Sequence, residues 1–130
     1  MKRIVTWGAL VGMVLYLMSG LAHAAGPELT IESPKQGETI QGGLVVVKFA
    51  AKNFKIVDFT KDTAVSESKG HVHIQLDDNP YNTIHTTSNV FVFAGVKPGK
   101  HKIELEFVHS NHTPLKTQVE KTVEFTVAEK

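Results

Sequence analysis

The sequence contains no cysteine. That absence excludes disulfides, thiolate zinc fingers, iron–sulfur clusters and a cysteine nucleophile, so a bound metal would be held by His, carboxylates or backbone oxygen. An excess of one charge is also lacking: 14 Lys+Arg stand against 13 Asp+Glu in 130 residues. Without a basic surplus no nucleic-acid partner is expected. Arg3, Trp7 and every methionine (Met1, Met13, Met18) fall within the first 24 residues. The remainder therefore has no guanidinium fork for phosphates and no thioether for a Met-rich cuprous site.

What is present begins with an address. Lys2-Arg3 precedes a mostly apolar run from Ile4 to Leu21, followed by Ala22-His23-Ala24 with small residues where a leader peptidase reads. This is the layout of a secretory signal with cleavage after Ala24. The domain plan is thus a signal peptide over residues 1–24 and one domain over 25–130. A periplasmic or secreted location is expected, with membrane contact only through the leader if it stays uncleaved. Residues 25–130 then carry twelve lysines, thirteen acids and six histidines.

From Leu29 onward, short runs of Val, Ile, Phe and Thr alternate with Gly, Pro, Asn, Asp and Ser, and no helical period is sustained. Strands are expected near 29–32, 44–50, 71–76, 83–86, 89–93, 102–108 and 121–128. Period-two alternation assigns Val45, Val47 and Phe49; Val72, Ile74 and Leu76; Ile103, Leu105 and Phe107; and Val123, Phe125 and Val127 to one core. About seven short strands in some 106 residues fit an all-β, two-sheet antiparallel sandwich of the immunoglobulin type. The stretch 53–70 is the hardest to read: Phe54, Ile56, Val57 and Phe59 call for burial, whereas 60–69 reads as a polar loop.

Ser33-Pro34-x-x-Gly37 leading to Val45-x-Val47-x-Phe49, then Val96-Lys97-Pro98-Gly99-Lys100-His101 opening a strand, resembles the bacterial immunoglobulin-like domains of exported proteins. His101 stands where such sandwiches place the tyrosine of their corner. More narrowly, Gly70-His71-Val72-His73, Pro98-Gly99-Lys100-His101 and His109-Ser110-Asn111-His112-Thr113-Pro114 resemble a group of small exported domains of unassigned function. These share a His-x-His strand, a Pro-Gly-x-His corner and a late His before Pro. The resemblance implies a fold but no activity.

The histidines carry what chemistry the sequence shows. Val72 belongs to the buried set, so His71 and His73 project together from the other face of their strand, a spacing that suits two ligands of one metal. In a standard sandwich the strand that ends at Val108 runs antiparallel beside them, bringing His109 and His112 to the same pole. His71, His73, His109 and His112 are therefore the candidate ligands of a Cu or Zn ion, although His109 shares the inward parity of Leu105 and Phe107. The alternative reading is that they are strand and turn residues. His101 is expected to face inward, bond the corner backbone and lie near Asp77-Asp78-Asn79; His85 reads as an exposed polar residue. Nothing among the familiar motifs of nucleophilic, phosphoryl-transfer or metalloprotease catalysis is present, so an enzyme is not expected. Two functions from different classes remain: a binding domain for a divalent metal, or an interaction module for an envelope protein or glycan.

Overall fold

The computed structural model describes residues 24–79 and 83–129. The expected signal helix lies outside them, and among the described residues no helix is long and apolar enough to cross a membrane. The described residues form nine strands: β1 (Glu28–Ser33), β2 (Glu38–Ile40), β3 (Leu44–Lys52), β4 (Lys55–Ile56), β5 (Lys69–Leu76), β6 (Thr83–Thr86), β7 (Val90–Ala94), β8 (Gly99–Val108) and β9 (Glu120–Val127). They make two sheets, β1-β3-β7 and β2-β9-β8-β5-β4, with β6 also paired to β5.

The two strands beyond the seven expected are β2 and β4. Three and two residues are too few to show an alternation, and both form by pairing with distant partners: β2 runs parallel to β9 and β4 parallel to β5. The two-sheet antiparallel sandwich expected from the sequence is what forms, with two short parallel additions at the margins of its larger sheet.

The core lies between the sheets where the alternation places it. Val45, Val47, Phe49, Val72, Ile74, Ile103, Leu105 and Phe107 are fully buried, with Val123, Phe125 and Val127 beside them. In the stretch that resisted reading, Phe54 lies flat on Phe107 at 4.2 Å between centroids, and Val57 is buried. The smaller sheet turns an apolar strip outward: Val46 faces Val92 across β3 and β7, with Leu44 and Val90 to either side, all four exposed.

At one pole a histidine ties the end of β5 to the β7–β8 turn. His101 Nδ1 donates to Asp77 Oδ2 at 2.9 Å and Nε2 to the Lys97 carbonyl at 2.7 Å, while the ring stacks on Phe125. The inward, corner-bonding placement beside Asp77 matches the expectation. Burial alone would lower its pKa, but the bonds to Asp77 and Lys97 and the Asp77 charge raise it on balance.

Candidate metal centre

The opposite pole is built on β5. Its inward residues Val72 and Ile74 anchor it in the core, which obliges His71 and His73 to the outer face. On one side β5 meets β8, with His71 opposite Val108 and His73 opposite Glu106. On the other it meets β6, where His85 stands directly across from His73. Facing residues of an antiparallel pair share a face with Cβ atoms about 5 Å apart. The His73 and His85 rings accordingly stack at 4.5 Å, tilted by 20°.

Two loops roof this outer face. From the β4–β5 connection, Phe59 lies over His71 at 4.2 Å and sets its ring edgewise to His112 at 4.9 Å. From the β8–β9 connection, His112 reaches back with Nδ1 3.0 Å from His71 Nε2 and 3.4 Å from His73 Nε2. His71 is consequently inaccessible to solvent although it points away from the core. One donor nitrogen from each of His71, His73, His85 and His112 lies within 4.8 Å of the other three.

His109 is not part of this group, contrary to its assignment as a candidate ligand. It follows Phe107 in parity, is buried, and bonds Thr113 Oγ1 through Nδ1 at 2.9 Å and Glu67 Oε1 through Nε2 at 3.0 Å. His85 takes the fourth place. From the sequence it reads as an exposed polar residue, because its strand is only four residues long and two of them are threonine; the signal that could have found it was a third outward histidine one hairpin from His73.

The electrostatics favour free imidazole lone pairs. His71 and His73 are each pushed down to about 4, first by burial and then by neighbouring imidazoles, His73, His112 and His85 for the former and His85 and His112 for the latter. Burial and His112 also lower His85. Near neutral pH these rings offer unprotonated nitrogen, the form that binds metals.

The same shifts set a pH dependence for the metal-free fold. In the unfolded chain His71 and His73 titrate near 6.5, in the fold near 4. Between those values the unfolded state binds more protons, so stability is full above about pH 6.5 and falls as the pH is lowered toward 4. His101, raised in the fold, acts in the opposite sense, its contribution being lost as pH rises through its folded value. We expect the urea midpoint of metal-free protein to fall between pH 7.5 and 5, with a loss of about 2 kcal/mol once mutual repulsion and solvent screening are discounted. A midpoint equal or higher at pH 5 would contradict the neutral cluster.

Comparison with solved structures finds fibronectin(III)-like modules of Clostridium thermocellum CbhA, with TM-score 0.53 and 18% identity over 77% of this chain and 94% of theirs. An engineered protein matches with TM-score 0.53 and 10% identity over 79% of this chain, which spans only 20% of that protein's length. At such identities the likeness concerns the fold, a fibronectin-III-like sandwich. No curated protein matches. A sequence family does match, over residues 18–130, and the chain belongs to it: a family of unknown function, DUF6130.

Proposed function

We propose that this chain is a small exported binding domain that captures a divalent transition metal, Cu(II) or Zn(II), through His71, His73, His85 and His112. The observation that carries the reading is the convergence of four imidazole donors within 4.8 Å. Metal–nitrogen bonds of about 2.0–2.1 Å in a tetrahedral site place nitrogens about 3.3–3.4 Å apart. The separations of 3.0 and 3.4 Å around His112 Nδ1 are close to that spacing. Imidazole-only donors suit Zn(II), Cu(II) and Ni(II) rather than Mg(II) or Ca(II), which take oxygen. Export rests on the leader pattern of residues 1–24, and the role is sequestration or delivery rather than catalysis.

The test is calorimetric titration of the purified protein with Zn(II), Cu(II) and Mg(II). One equivalent of Zn(II) or Cu(II) should bind with submicromolar affinity and Mg(II) should not. A ligand at one hundred times its Kd should also add about 2.7 kcal/mol to stability. Weak, non-stoichiometric uptake of all three metals would sink the reading.

A second reading has its own observation. The fibronectin-III-like architecture suggests a binding or interaction module, and Leu44, Val46, Val90 and Val92 expose an apolar strip on its smaller sheet. Such a strip suits docking of an envelope protein partner.

A further inference from the structure

His109, outside the donor group, is bonded into the turn that delivers one of its members. The turn is fastened by His112 N–H to the His109 carbonyl at 2.9 Å and by His109 N–H to the Thr113 carbonyl at 2.8 Å. His112 itself adopts φ 66°, a left-handed conformation that a non-glycine residue holds only when its surroundings impose it. Those surroundings converge on Glu67, in the same β4–β5 connection as Phe59. Its Oε1 faces His109 Nε2 at 3.0 Å and its Oε2 accepts the Lys116 N–H at 2.9 Å, so one carboxylate grips the chain before and after His112.

Asn111 Oδ1 accepts both the Thr113 N–H at 3.2 Å and the Thr113 hydroxyl at 2.6 Å. With its one hydroxyl hydrogen used there, Thr113 Oγ1 can only accept from His109 Nδ1.

We infer that Glu67 and His109 are positioning residues for His112, holding its Nδ1 over His71 and His73 by gripping both ends of its turn. The inference rests on the metal reading above. It assigns a task to a buried histidine and the exposed carboxylate paired with it, which bond none of the four donors through their side chains; partners beyond the ligands commonly act so in metal sites, where their loss costs about 10–100-fold in affinity.

The test is a double-mutant cycle read by Cu(II) affinity and by the nitrogen hyperfine pattern in electron paramagnetic resonance, on purified wild type, Glu67→Ala, His112→Ala and the double variant. Glu67→Ala should weaken Cu(II) binding about tenfold or more and shift its spectrum to that of His112→Ala, yet cost nothing further when His112 is already absent. Glu67→Gln, which keeps one acceptor, should fall between and provides the measurement if the alanine variant does not fold. An equal loss with and without His112 would show that Glu67 supports the fold alone and overturn the inference, as would a wild-type affinity and spectrum in Glu67→Ala or Glu67→Gln. If wild type binds no Cu(II) or Zn(II), the metal reading itself falls and this inference with it.

Discussion

Replacing His71 and His73 together with alanine should abolish stoichiometric Cu(II) and Zn(II) binding, lowering affinity at least about a thousandfold, or about 4 kcal/mol. Two of four donors are then gone, and the remaining pair, His85 and His112, falls short of the three or four protein ligands a zinc site uses. The informative companion is His71→Leu. In the fold His71 is fully buried, its Nδ1 has no hydrogen-bond partner among the described residues, and its protonation is suppressed. A buried unpaired polar atom costs about 1–3 kcal/mol, and leucine of similar bulk removes it while keeping contact with Phe59. Metal-free His71→Leu should therefore be as stable as wild type or more so by about 1 kcal/mol, even as it loses metal affinity. Stability sacrificed at a position that packing alone would fill with a hydrophobe is what a ligand site requires. Calorimetry beside urea unfolding decides the matter: a His71→Leu protein that is markedly destabilised and still binds metal as wild type does would refute the assignment.

Gly70→Ala should be the most destabilising single methyl in the molecule's larger sheet. A Cβ on Gly70 would run into the Val108 carbonyl oxygen, with its carbon at 3.0 Å and His109 Cα at 3.2 Å. All three are backbone atoms, which cannot swing aside as a side-chain end can. Gly70 is also held from the other flank, where its carbonyl accepts the Val57 N–H at 2.8 Å and it pairs with Ile56 of β4. The methyl would therefore prise the start of β5 from the end of β8, at a cost of about 3 kcal/mol. Because His71 is the next residue and His109 begins the turn that carries His112, metal affinity should fall with it. Urea unfolding of Gly70→Ala checks this, and a change below about 0.5 kcal/mol would show that the two strands can part without loss.

Both outcomes bear on what local sequence can determine. The alternation through Val72-His73-Ile74 sufficed to place β5 in the core and to turn His71 and His73 outward together, because side-chain direction in a strand is a local property. Likewise the Val96–His101 corner was legible, since proline, glycine and the strand start prescribe each other over six residues. His109 was separable in principle by the same parity, one residue on from Val108 and in step with Phe107.

His85 and the roof over the site were not legible in this way. The role of His85 depends on the register of β6 against β5, which pairs it with His73; a shift of one residue would have put it on the core side. Phe59 lies in a connection without periodicity, and only the docking of that connection over β5 turns an outward histidine into one with no solvent access. The short parallel strands β2 and β4 share this origin, being stabilised by partners remote in the chain. The sandwich, its core and the two outward histidines of β5 thus follow from period-two patterning along the chain. That His85 and His112 join them follows from register and loop docking, which are set by contacts between segments and not by any residue's neighbours along the chain.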